Sequence, residues 1–261
     1  MVDYLYGMRA LSILVLACLA AAPALSQTAM TEAERQYKAC LTLVRQKPSD
    51  AFESAMSWRD QGGGLPARHC AALALIELKQ YAVAADRLDQ LGEEASVNQK
   101  NRKELAPDLF DQAGNAWILA GEGRKAVASL DAAIKMAPDI ADYWVDRARG
   151  YQLDGRTDKA MADLDRALSL DPQRDDTYAY RASARRQSGD AKGAMDDVET
   201  ALALNGRNAE AHLERGHLRF AAGDFKGARE DFIQTALIAP GSPAADDAQA
   251  ALEAMDVKPG K

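Results

Sequence analysis

The chain is expected to fold as an all-α solenoid of stacked helical hairpins closed by a C-terminal capping helix. Three observations lead there. The 261 residues are rich in Ala, Leu, Asp and Arg, with 6% aromatics and no long β-branched run, a composition that favours helix over strand. The sequence repeats: Pro138, Pro172, Gly206 and Pro240 stand 34 residues apart, as do Ala126, Ala160, Ala194 and Ala228, and Gly121, Gly155, Gly189 and Gly223. Leu130, Leu164, Val198 and Phe232 keep the same step, and Ala133, Ala167, Ala201 and Ala236 follow at 34, 34 and 35. Within each period apolar or small residues recur at helical spacing on both sides of the Gly, so a unit reads helix, turn, helix, stop. A single hairpin of this kind cannot bury its own apolar face, so the units must stack.

Residues 1–26 read as an export signal. Arg9 is followed by an apolar run of about a dozen residues and by small Ala24 and Ser26, which places cleavage after Ser26. Asp3 and two tyrosines make a poor signal start, so Met8 is an alternative initiator. The run is short for a membrane span and Pro23 ends it, so no integral span is expected in the mature form. A rival reading is a lipoprotein acylated at Cys18, against which Leu16 stands where a small residue is wanted. An exported, periplasmic location is the expectation.

Residues 27–95 read as degenerate hairpins. "TEAERQYKACLTLVRQ" and "PSDAFESAMSWRDQ" form one pair, ended by Gly62 to Gly64, and a second unit begins at Leu65. Cys40 and Cys70 lie on neighbouring hairpins, and an even count in an exported chain points to a disulfide. Two buried free thiols are the alternative. No CxxC pair is present, which argues against a metal or redox centre. Residues 96–106 form a polar connector that absorbs a slip in the repeat phase. Four units follow over 107–240, at 107–140, 141–174, 175–208 and 209–240. Residues 241–261 supply the capping helix, with Ser242 as N-cap and Pro243 at the first helical position, then a frayed tail.

The second unit carries Trp144, Ala148, Tyr151, Gly155, Ala160, Leu164, Ala167 and Pro172; the first has Phe110, Gly114, Trp117, Gly121, Ala126, Leu130, Ala133 and Pro138. In period and residue pattern these units resemble the tetratricopeptide repeat. The third and fourth depart from it, with Arg185 and Arg219 at the second aromatic place, His212 at the first, and Gly206 for Pro. The resemblance implies a right-handed superhelix whose first helices line a concave groove for a peptide or extended segment. Carried onto this chain, the groove residues are Asp108, Asp111, Asn115, Asp142, Arg149, Gln152, Asp176, Ser183, Arg186, Gln187, Glu210, His217 and Phe220. The fifth places of the units hold Asp111, Val145, Ala179 and Leu213, so the family's Lys and Asn clamp for a C-terminal carboxylate is absent. Leu213 and Phe220 are expected as exposed apolar groove residues.

Comparing units with one another exposes a correlation. Arg147, Arg181 and Arg215 occupy the seventh place of units two to four, and Asp163, Asp197 and Asp231 the twenty-third, whereas the first unit has Ala113 and Ser129. This points to structural ion pairs, within a unit or between neighbours. Chemistry finds no foothold. His212 and His217 are five apart, which puts them on different faces of a helix, and neither a nucleophile elbow nor a phosphate-binding loop occurs. The net charge of -7 is modest and basic residues are interspersed with acidic ones, so nucleic acid is not an expected partner. The reading is a non-catalytic adaptor of the cell envelope without cofactors, binding a protein or peptide. The alternatives are a self-associating structural homo-oligomer and an accessory subunit of an envelope enzyme complex.

Overall fold

The computed structural model describes residues 30–97 and 103–257. The expected export signal, Cys18 and part of the expected polar connector lie outside the described residues. The described chain is helical throughout, without strands. The helices run α1 (Glu32–Gln46), α2 (Pro48–Trp58), α3 (Gly64–Glu77), α4 (Tyr81–Val97), α5 (Ala106–Leu119), α6 (Gly123–Met136), α7 (Ala141–Leu153), α8 (Thr157–Leu170), α9 (Asp175–Gln187), α10 (Ala191–Leu204), α11 (Ala209–Ala221), α12 (Phe225–Ile238) and α13 (Pro243–Val257). A π-helical turn (Arg59–Gly63) joins α2 to α3, and a short 3₁₀ turn (Lys103–Leu105) leads into α5.

Each hairpin of the array turns on a glycine in the left-handed region. Gly121, Gly155, Gly189 and Gly223 have φ between 71° and 88°, a conformation that costs a residue with a Cβ about 1–2 kcal/mol. This lets the following N–H reach back five residues, as from Glu122 to the Trp117 carbonyl at 2.9 Å and from Asp224 to that of Arg219 at 2.9 Å, closing the first helix. Asp190 and Asp224 then cap α10 and α12, accepting from the Gly193 and Gly227 amides at 2.9 Å.

The two helices of a unit pack through small residues. Ala126, Ala160, Ala194 and Ala228 are fully buried, and Leu130, Leu164, Val198 and Phe232 fill the space between helices. In the outer units this approach needs glycine: a Cβ on Gly114 would lie 2.4 Å from Leu130, and one on Gly216 would lie 2.6 Å from Phe232. The first helices α5, α7, α9 and α11 pack on their own partners and also on the next first helix, so they form the inner, concave row. The second helices lie outside.

The N-terminal part is built differently. Cys40 of α1 and Cys70 of α3 are joined as a disulfide inside a small core of mostly alanines, including Ala51, Ala55, Ala71 and Ala74. The α3–α4 hairpin joins the array through a larger core of Leu88, Leu91, Phe110, Leu130 and Tyr143. Trp117 fastens this joint by donating to Asp89 at 2.7 Å. At the other end, Ser242 accepts from the Ala245 amide at 3.1 Å to start α13, whose Ala244 and Ala248 pack on Leu213 and Phe232. Leu213 is therefore 5% exposed and contributes no apolar surface to the groove, contrary to the expectation from sequence.

Candidate functional site: the concave face

Regular helices at a fixed pitch bring the same places of each unit to the inner face. What the side chains do there is less uniform than the backbone. Asp108 and Asp142 are exposed in the first turns of α5 and α7, where carboxylates favour the helix dipole. Asp108 accepts from the Tyr143 hydroxyl at 2.5 Å, and Asp142 pairs with Arg174. Arg174 also grips Asp176 at 2.7 Å, and although burial alone would raise the Asp176 carboxyl, these bonds hold it below its usual range.

One place deeper, the face is crossed by a seam in which the sixth place of each unit reaches the preceding first helix. Gln112 of α5 meets His69 of α3 at 2.7 Å, and Asp146 of α7 accepts from Asn115 of α5 at 2.7 Å. Tyr180 of α9 lies 5.5 Å beneath the Arg149 guanidinium of α7, and Glu214 of α11 accepts from Arg186 of α9 at 2.6 Å. Arg149 also donates to Asn115 and Asp146, at 2.9 and 2.8 Å. Arg149 and Arg186, expected as the basic groove residues, are thus engaged in joining helices.

Asp111 sits against this seam. Burial, then the neighbouring Asp146 carboxylate, pushes its carboxyl up to about 8. Its Oδ1 is buried without a hydrogen-bond partner among the described residues. Glu210 is also raised, by burial and then by Glu214. His217 rests with its edge against Phe232, ring centroids 5.1 Å apart, and burial lowers its pKa. Gln152 donates to the Tyr180 carbonyl at 3.4 Å, while Ser183 and the exposed Gln187 touch each other at 3.5 Å. Phe220 stands apart, 43% exposed and edge-on to Phe225, itself 57% exposed.

Between the two helix rows lie the charge clamps. Arg147 bonds both oxygens of Asp163 at 2.8 and 2.7 Å, Arg181 both of Asp197 at 2.9 and 2.7 Å, and Arg215 holds Asp231 at 2.6 to 3.0 Å. The same arginines reach back to the previous unit, Arg147 to Asp131 at 2.6 Å and Arg181 to Asp165 at 2.7 Å. They also lie on the first aromatic of their unit, Arg147 at 4.9 Å from the Trp144 ring and Arg181 at 5.5 Å from that of Tyr178. Those aromatics in turn donate to the last turn of the unit before, Trp144 to the Pro138 carbonyl at 2.8 Å. One arginine therefore ties two helices of its own unit to the second helix of its neighbour.

The family model of the tetratricopeptide repeat matches residues 141–174, one of the two units in which this set of contacts is complete. Residues 141–174 thus form a tetratricopeptide repeat, and the chain as a whole shares the fold of solved proteins built from such repeats. Its fold is similar to a tetratricopeptide repeat protein from Parabacteroides merdae, with a TM-score of 0.66 and 17% identity over 82% of each chain. PilF of Pseudomonas aeruginosa superposes with a TM-score of 0.59 at 14% identity, over 84% of this chain and 97% of PilF. A fragment of MamA from Desulfovibrio magneticus gives 0.55 at 18%, over 67% and 97%. No curated protein matches the sequence.

In the third and fourth repeats arginine takes over where an aromatic is missing. Arg185 reaches Asp197 at 2.9 Å and Arg219 reaches Asp231 at 2.8 Å, adding a second guanidinium to each buried carboxylate. His212 adds a third group to Asp231, at 3.2 Å. The departures from the family pattern thus strengthen the polar clamp in place of an apolar contact. Among the described residues no cluster of His, Cys, Asp and Glu could hold a metal, and no helix is long and apolar enough to cross a membrane.

Proposed function

We propose that the chain is an exported, non-catalytic scaffold of the cell envelope whose concave face holds a basic, extended segment of a partner protein. The observation that carries this is the acidic lip of the inner row: Asp108, held among the described residues only by the Tyr143 hydroxyl, is exposed there beside Asp142, which shares the single guanidinium of Arg174 with Asp176, while Arg149 and Arg186 are committed to other internal partners. Lys or Arg side chains of a ligand would find carboxylates at the pitch of the first helices, on a surface already rigid. The Cys40–Cys70 disulfide and the leader-like N-terminus support an oxidising, extracytoplasmic location.

A second reading, self-association, is favoured by the exposed Phe220–Phe225 pair at the last turn of the array. Crosslinking in the native cells followed by mass spectrometry, comparing the natural chain with Asp108→Lys/Asp142→Lys, separates the two. Loss of particular envelope proteins from the variant supports the scaffold. Self-crosslinks alone, unchanged in the variant but lost on Phe220→Ser/Phe225→Ser, would replace it with a homo-oligomer.

A further inference from the structure

A cavity of about 300 Å³ opens between the N-terminal hairpins, lined by residues that include Met56 of α2, Arg59 of the π-helical turn, Arg68 of α3, and Asp86, Arg87 and Gln90 of α4. None of the concave-face residues belongs to it. Its lining carries three guanidinium groups and one carboxylate, that of Asp86. Arg68 is engaged bidentately with Glu94, at 2.7 Å for both bonds. Arg59 holds Asp60 with one edge, at 2.8 and 2.7 Å, and turns its other nitrogen to the Met56 sulfur at 3.5 Å.

Arg87 is the informative member. It pairs with no carboxylate among the described residues. Its guanidinium is held 5.4 Å over the Phe52 ring, and its Nη1 reaches the same Met56 sulfur at 3.7 Å. Two cationic N–H donors thus converge on one thioether, a weak acceptor. The stack on Phe52 fixes the fork before any ligand arrives, and a planar guanidinium fork matches the two oxygens of a carboxylate or phosphate. Asp86, whose carboxylate is occupied by Gln90 at 2.9 Å, sets the only opposing charge in the lining.

We propose that this cavity is an oxyanion site, in which Arg59 and Arg87 together bind a carboxylate or phosphate group over the Met56 sulfur. The site is independent of the concave face, so the scaffold can hold an anionic ligand and a basic segment at once. The test is calorimetric titration of the oxidised chain with inorganic phosphate, and with a short peptide bearing either a free or an amidated C-terminus. Phosphate binding marks a phosphate source; binding of the free but not the amidated peptide marks a chain terminus.

Either ligand is expected to bind about tenfold or more weakly to Arg87→Gln, the loss of one charge-assisted bond. Asp86→Asn is expected to bind several-fold more tightly, a gain that misfolding cannot imitate. Equal binding by the natural chain and Arg87→Gln, or no saturable binding of either probe below about 10 mM, would overturn the proposal.

Discussion

The two halves of the molecule solve the same problem by different means. From Ala106 to Ile238 the helices repeat a single set of contacts, and an arginine in each of three units ties two helices of its unit together, reaching the previous unit from Arg147 and Arg181. From Glu32 to Val97 the pattern is irregular, the α1–α3 core is made largely of alanines, and a disulfide joins α1 to α3. Alanine cores bury little area per residue. Where repetition supplies register, charge clamps suffice; where it fails, a covalent link compensates for a thin core.

The largest effect should come from the staple. Cys40→Ser/Cys70→Ser removes a link across a sequence separation of 30, worth roughly 3–4 kcal/mol in a chain-entropy account. Hydrogen exchange should show the loss in α1 to α3 with α7 to α12 unchanged; equal loss in the array would dissolve the distinction between halves. Next, Arg147→Met leaves Asp163, 7% exposed, without its guanidinium, and a buried carboxylate stripped of its partner costs about 3 kcal/mol. Arg215→Met should cost about 1 kcal/mol, because Arg219 and His212 still hold Asp231. Urea unfolding of the two variants checks the order, and equal losses would contradict the account of the fourth repeat.

The last effect is a slope with pH in place of a fixed loss. Asp111 has its carboxyl raised to about 8 in the folded chain. The stability this contributes is fully present below the ordinary carboxylate range and is lost as pH rises towards 8. Asp111→Asn removes that titration, so its melting temperature should fall less than that of the natural chain between pH 5 and pH 8. Parallel curves would mean that Asp111 is ionised throughout.

The sequence carried the periodic part well because repetition is its own control. The 34-residue step placed the turn glycines and the buried Leu130, Leu164, Val198 and Phe232, and comparing units with each other singled out Arg147 with Asp163. The inner face was harder to read. Groove places taken from a single helix miss what the preceding helix presents, so Asp146, Tyr180 and Glu214, all at the sixth place, went unnamed, and Arg149 and Arg186 looked free when they are seam residues. The signal was present: the sixth place is polar or aromatic in every unit, as Gln112, Asp146, Tyr180 and Glu214. Leu213 was misjudged because α13 begins 34 residues after α11 and occupies the position of a further first helix, laying Ala244 and Ala248 over it.

Site-specific photocrosslinking in the native cells would test most directly whether the inner row is the working surface. A photoreactive residue replaces Asp142 on α7 in one strain and the outward, exposed Ala162 on α8 in another. The account predicts a discrete adduct to another protein from position 142 and none from position 162. An adduct from position 162 alone would contradict it and move the partner to the convex side.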